Sequence, residues 1–187
     1  MNMEDKIIIV GAFHEIVELC ELCEKKIIGI IDDSVSDSFM GYTILGNDDD
    51  ASRIYGLHPD CLIVISPDSL KVKQKLADYY NKVGFKFAKI ISPRACVSKS
   101  AIIGQGVVIQ SGVNISSSAV IGNFCKLNFN CNIMHDVIIG DYSVIAPNAV
   151  ILGRSKIGAK TYVGACSVIL PNTIIKESSN IKPCSLL

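Results

Sequence analysis

The sequence predicts two fold classes in one chain of 187 residues: an α/β unit over residues 1–86 and an all-β parallel helix over residues 87–187. Two observations carry the second unit. Fifteen aliphatic residues recur every six positions: Ile91, Val97, Ile103, Ile109, Ile115, Ile121, Leu127, Ile133, Ile139, Ile145, Ile151, Ile157, Val163, Ile169 and Ile175. Two places before each of them, from Ala95 to Thr173, stands a small or β-branched residue. A period of six matches neither an α-helix nor a plain strand. It is the hexapeptide repeat, whose units stack as a triangular parallel β-helix. The third observation is an alternation of apolar strand-like runs with helically spaced segments in the first half, which predicts a parallel sheet covered by helices.

The first unit reads in order as follows. Lys6–Val10 is a short apolar strand and Gly11 a turn. Phe13–Lys25 has helical spacing at Ile16, Leu19, Cys20 and Cys23. Ile27–Ile31 is a second strand, closed by Asp32-Asp33. Residues 34–50 are polar and loop-rich, with a short strand expected at Tyr42–Leu45, and Asp48-Asp49-Asp50 read as a solvated helix start. Cys61–Ile65 is a buried strand. Ser66-Pro67-Asp68 supplies a helix start, and Leu70–Val83 is the second long helix. Phe87–Ile91 leads into the repeats. This β-α-β-β-α pattern is Rossmann-like, and its ligand crevice is expected beyond the carboxyl ends of the strands, near Gly11, His14, Asp32, Asp33 and Ser66.

In the second unit three repeats make one coil, so the fifteen repeats make five coils and residues eighteen apart stack. The comb points inward. Gly104, Gly122, Gly140, Gly158 and Gly164 each follow an inward residue, where the corner is expected to need an open backbone. Proteins of this type coil left-handed, against the usual right-handed crossover. The repeats are expected to give way at Lys176-Glu177-Ser178-Ser179.

Composition excludes several function classes. Lys plus Arg equals Asp plus Glu, 18 each, so no basic field exists for nucleic acid or an anionic membrane. The opening Met-Asn-Met-Glu-Asp-Lys has no basic region before an apolar stretch, so it does not read as a secretory leader, and the chain is expected in the cytoplasm. The eight cysteines are read as free, buried thiols there. Cys20 and Cys23 form a C-x-x-C inside a helix with no second ligand pair, and no metal is expected. His135 is the one histidine in the repeats, too few for a β-helix zinc centre.

His135 carries the candidate chemistry. It falls two places after the inward Ile133, so it lies near a corner and points outward. Asp136 is adjacent and positioned to orient the imidazole. Gly153, eighteen residues on, stacks one coil above with a bare backbone amide. A base and an amide one coil apart suit acyl transfer, the first removing a proton and the second steadying an oxyanion.

The string Leu127-Asn128, His135-Asp136, Ile139-Gly140-Asp141-Tyr142 and Ala146-Pro147-Asn148-Ala149 resembles the signature of the left-handed β-helix sugar acyltransferases. That group includes sialic acid O-acetyltransferases and N-acetyltransferases of nucleotide-linked 4-amino-4,6-dideoxy sugars. The resemblance extends to Gly11-Ala12, His14 and Ile31-Asp32-Asp33. It implies His135 as general base, Asp136 tuning it, Asn128 positioning substrate or base, and the Gly153 amide binding the thioester oxygen. It implies acetyl-CoA as co-substrate, with Val144 and Ala165 beside it, in a groove between prisms of a homotrimer. It also implies a nucleotide sugar on the first unit, at Gly11, His14, Asp32, Asp33 and Ser66. Departures from the family pattern include Phe13 where a further glycine is usual, Ser66-Pro67 in place of Gly-Asn, and Val144 in place of a histidine.

Overall fold

The computed structural model describes residues 6–187, and the opening stretch read above for a leader lies outside them. The chain divides into two compact units between Ile90 and Ile91. This lies slightly later than the boundary read after residue 86. Lys86–Phe87 pairs with the preceding sheet, and the Ala88 N–H donates to the Ile63 carbonyl at 2.9 Å.

The first unit runs β1 (Lys6–Val10), α1 (His14–Leu22), β2 (Lys26–Ile31), β3 (Ser38–Phe39), β4 (Tyr42–Gly46), α2 (Ala51–Leu57), β5 (Leu62–Ile65), α3 (Leu70–Val83) and β6 (Lys86–Phe87). The sheet order is β3-β4-β2-β1-β5-β6. All pairs are parallel except the β3–β4 hairpin. β1 is central, and Ile7, Ile8 and Ile9 are wholly buried, as expected of a parallel strand covered on both faces. The chain leaves β1 toward β2 on one side and returns to β5 on the other. Strand order therefore switches at the carboxyl end of β1, where Gly11 stands at φ +92° and donates its N–H to the Ile31 carbonyl at 2.8 Å.

α2 follows the helix start read at Asp48-Asp49-Asp50, although the β-α-β-β-α pattern did not include it. Its entry is a single 3₁₀ turn, Asp48–Asp50, capped reciprocally by Asn47 and Asp50. The three acids are thus more than a solvated run. Asp50 caps the turn and pairs with Arg53, while Asp48 accepts a 2.7 Å hydrogen bond from Tyr80 Oη.

The second unit is a parallel β-helix. Sixteen two-residue strands, from Ile90–Ile91 to Asn180–Ile181, form three parallel sheets of six, five and five strands. The strand pairs join residues one coil apart, such as Asn132 with Val150 and Ile133 with Ile151. The comb residues from Ile109 to Ile169 fill the prism and are buried. The second comb is buried beside them from Val107 to Ser167, and from Ser143 on it carries a hydroxyl everywhere but Ala149. Those hydroxyls are satisfied locally: Ser143, Ser155 and Ser167 Oγ donate to the Gly158, Leu170 and Lys182 carbonyls at 3.0, 2.8 and 2.9 Å. The repeats do not give way after Ile175. Ile181 continues the comb in a strand paired with Tyr162–Val163, and Leu186 bridges to Val168.

At the corners the open backbone expected from the glycines has a specific cause. The glycines one place after the inward residue do not have positive φ. They are needed because the coil above passes too close: a Cβ on Gly140 would lie 2.5 Å from the Ala159 nitrogen. The left-handed residue sits three places after the inward one. It recurs every sixth position from Gly106 to Cys184, and from Ser118 onward it is never a glycine. Its strain is offset by a hydrogen bond to the coil below, as from Arg154 N–H to the His135 carbonyl at 3.0 Å.

Replacing Gly140 by Ala should therefore force two coils apart. It should lower stability by about 1–3 kcal/mol, read as a lower urea midpoint with unchanged slope. An unchanged midpoint would mean that the coils separate there without cost.

Candidate active site

The site of interest lies at one corner of the prism. Ile133 is anchored inward, which places His135 at the corner position and Asp136 in the left-handed conformation at φ 59°. The two side chains are each about half exposed, and His135 Nδ1 lies 2.9 Å from Asp136 Oδ2. An ionised carboxylate can only accept, so Nδ1 donates and the lone pair of Nε2 is left available. Arg154, one coil above Asp136, brings its Nε within 4.0 Å of the same carboxylate oxygen.

Gly153 sits directly over the ring. A Cβ there would lie 2.6 Å from His135 Nε2 and 2.7 Å from Cε1. Glycine is thus required by the imidazole itself, in addition to any ligand. The amide of Gly153 is also unspent. Its neighbours Leu152 and Arg154 donate to the Ile169 and His135 carbonyls, while the Gly153 N–H has no partner among the described residues.

The position two places after the inward residue explains this. Pro93, Pro147, Pro171 and Pro183 all occupy it, and a proline fits only where the ladder asks for no N–H. At another corner the spare amide is capped by a side chain from the coil above, as Asn123 N–H is by Asp141 Oδ1 at 2.7 Å. Above Gly153 stands Pro171 and above Ala165 stands Pro183, neither of which offers a side-chain acceptor. Both amides remain free, which gives Gly153 and Ala165 the same donor capacity at two different corners.

The structure does not bring every candidate to this corner. Asn128 is on the preceding corner, and its Nδ2 donates to the Ile145 carbonyl at 3.2 Å rather than to His135. Val144 is buried on the outer side of its strand, 5% exposed.

In the first unit a cleft of about 200 Å³ opens at the strand switch. Val10, Gly11, Ile31, Pro67, Val72 and Leu76 give it apolar walls, and Asp32, Asp33, Ser34 and Asp48 give it a polar edge. Asp32 is already saturated. Its Oδ2 accepts from Ala12 N–H at 2.7 Å, and its Oδ1 accepts from Ser34 Oγ, Ser34 N–H and Val35 N–H at 2.6, 2.8 and 3.1 Å. Burial pushes its carboxyl up, but the hydrogen bonds from Ser34, Ala12 and Val35 outweigh it and hold the group below the usual range. Asp32 therefore shapes the Gly11-Ala12 turn, and Asp33 and Asp48 are the carboxylates with capacity to spare. Ser66 is buried beside Gly11 with its Oγ unpartnered. His14 packs edge-on against Phe39, ring centroids 4.6 Å apart, and does not line the cleft. Asp48 was missed as a lining residue because its approach depends on the fold of α2 and α3.

No cluster of three metal-ligating side chains occurs among the described residues. Cys20 and Cys131 are buried, which pushes each thiol up to about 12 and makes both poor nucleophiles.

Comparison with known proteins fits this geometry. The family described as bacterial transferase hexapeptide (six repeats) matches residues 118–153, a stretch that holds His135, Asp136 and Gly153. No curated protein sequence matches the chain. Among solved structures, a GDP-perosamine N-acetyl transferase from Caulobacter crescentus, in complex with CoA and GDP-perosamine, superposes with a TM-score of 0.92 at 20% identity. That match covers 97% of this chain and 88% of the other. The acetyltransferase domain of PglB from Neisseria gonorrhoeae, in complex with acetyl coenzyme A, gives 0.89 at 23% identity over 98% and 89% of the two chains. WeeI from Acinetobacter baumannii gives 0.68 at 20% identity over 96% and 94%. The chain shares their fold, and its repeats and parallel sheets fit the left-handed β-helix.

Two outcomes follow. Gly153→Ala should leave the fold intact, because the atom met is the end of a side chain, and should displace the imidazole, visible as a shift of the His135 ring signals in NMR. Unmoved signals would mean that the ring does not occupy this place. For Asp32 the folded value lies below the ordinary 3.8, so its stabilisation is complete above that pH and is lost as pH falls through the folded value. The stability gap between the native protein and Asp32→Asn should be widest near neutrality and should close in strong acid, as followed by denaturant titration at several pH values.

Proposed function

We propose that the protein is an acetyl-CoA-dependent acetyltransferase that N-acetylates a nucleotide-linked 4-amino-4,6-dideoxy sugar, in surface-glycan biosynthesis. The observation that carries this reading is the convergence of His135 Nε2 and the unspent Gly153 amide at one corner. The neutral imidazole, oriented through Nδ1 by Asp136, takes a proton from the attacking sugar amine at Nε2. The amine nitrogen forms its bond to the thioester carbonyl carbon. The Gly153 N–H donates to the carbonyl oxygen as negative charge gathers there. Collapse expels the coenzyme thiolate, and His135 returns the proton to it. No cysteine or serine nucleophile enters the reaction.

The surroundings support the reading. Met134, Leu152 and Leu170 form an apolar ledge along the same corner, suited to the pantetheine arm of acetyl-CoA. The Ala165 amide offers a second donor. Asn128 and Val144, away from His135 within one chain, contribute through a neighbouring prism or not at all. The first unit, read as a Rossmann-like domain, would take the nucleotide sugar at its strand switch, with Asp33, Asp48, Gly11 and Ser66 near the ligand, Asp32 holding the turn and His14 at the rim. The exposed Ile102, Ile138 and Ile174 on the third sheet support packing of prisms as a homotrimer. No helix among the described residues is long and apolar enough to cross a membrane, which agrees with a cytoplasmic enzyme.

Calorimetric titration should show acetyl-CoA binding to the native protein and to His135→Ala alike, while turnover with an amino-sugar nucleotide falls about 10²–10⁴-fold in the variant. No binding at millimolar acetyl-CoA would overturn the proposal.

A further inference from the structure

The eight cysteines were expected to be buried, but three of them lie exposed on the outside of the β-helix: Cys96, Cys166 and Cys184. Two of these share a corner. Cys166 and Cys184 each stand three places after an inward residue, Val163 and Ile181, and both are left-handed, at φ 57° and 59°. They are one coil apart and held in register by the backbone. The Cys166 N–H donates to the Pro147 carbonyl at 3.0 Å, and the Cys184 N–H donates to the Ala165 carbonyl at 2.9 Å. Residues stacked in this way are separated by about one strand spacing, ~4.8 Å. This falls inside the Cα–Cα window of roughly 4.4–6.8 Å that a disulfide needs. Both residues have the same backbone conformation on the same outer edge, so their side chains leave the prism in the same direction.

We propose that Cys166 and Cys184 form a reversible disulfide-forming pair that staples one coil of the β-helix to the next. Both thiols are free in the structure, so this is the reduced state. Oxidation requires a hydroperoxide. One thiolate attacks the peroxide oxygen and becomes a sulfenic acid as water departs. The second thiolate attacks that sulfur, forms the S–S bond and releases the oxygen as a second water. Overall, two thiols and one hydrogen peroxide give one disulfide and two waters. A dithiol reductant reverses it by exchange. Cys96 lies on the outer face of a strand in another sheet and has no such partner, while Cys125 and Cys131 are buried in the prism. The bond would close an eighteen-residue loop across one coil. It would hold the turn carrying Ala165, whose free amide lies next to Cys166, against local opening.

The test is peptide mapping of the native chain after mild hydrogen peroxide, with remaining thiols blocked before digestion. Trypsin cuts after Lys160 and Lys176 but not between Lys182 and Pro183, so Cys166 and Cys184 fall on separate peptides. The expected product is a single cross-linked pair, lighter by two hydrogens, abolished by Cys166→Ser and by Cys184→Ser, unaffected by Cys96→Ser, and reversed by dithiothreitol. Its formation should also raise the thermal midpoint of the native chain and leave that of Cys184→Ser unchanged. Oxidation of the two residues to separate sulfinic or sulfonic acids, or a cross-link only between different molecules on a denaturing gel, would overturn the proposal. Neither readout depends on acetyl transfer.

Discussion

The in-register stacking of residues eighteen apart is the constraint on which the rest of the second unit depends. Each coil repeats the backbone of the one below, so any feature fixed at one position is imposed on a whole row. The row three places past the inward residue must be left-handed, the row of Gly104, Gly122, Gly140 and Gly158 one place past must clear the passing backbone, and the row two places past has an amide with no ladder partner. Where a row carries acceptors, as with Asn123 and Asp141, the amides are capped. Where it carries prolines, they remain open. The candidate oxyanion donor is therefore a consequence of the solenoid, and the particular sequence only decides where it is left uncovered.

Much of this was legible in the residues. A period of six requires a prism, and the prism places His135, Asp136 and Gly153 at one corner with no further information. The prolines at positions 93, 147, 171 and 183 would have marked the free-amide row had their spacing been set against the comb. Ile181 and Leu187 continue the comb in register, and the polar segment Lys176-Glu177-Ser178-Ser179-Asn180 obscured that they do. The corner glycines were legible only as a need for an open backbone, not as to its cause. A sequence shows that a small residue is tolerated but does not distinguish a positive φ from a close approach, and here the close approach decides.

The first unit was less legible, because its contacts join residues far apart in sequence. Asp32 looked like a ligand-binding acid at a strand end. The four hydrogen bonds that occupy it come from Ala12, in the turn after β1, and from Ser34 and Val35 in its own turn, and neither is signalled by a pattern. The same holds for Asp48. A run of three acids reads as a solvated cap, yet one of them is drawn inward by the buried Tyr80, whose phenol is pushed well above its usual range by burial and by that hydrogen bond.

The balance of exposure at His135 bears on how the proposed chemistry would work. A half-exposed imidazole beside a half-exposed carboxylate lies mostly in the dielectric of water, where a single amide does little for a developing oxyanion. Within one prism the site has the right groups but not the right medium. Both open amides, Gly153 and Ala165, lie on outer corners rather than in a cavity, and one coenzyme in contact with one prism would leave its other side wet. A second prism packed alongside would remove water from both sides of the thioester. It would also put a different corner, such as the one bearing Asn128 or Ala165, opposite the corner bearing His135. The separation of the candidate residues over two corners, which weakens the site in one chain, is what a site shared between neighbouring chains would require.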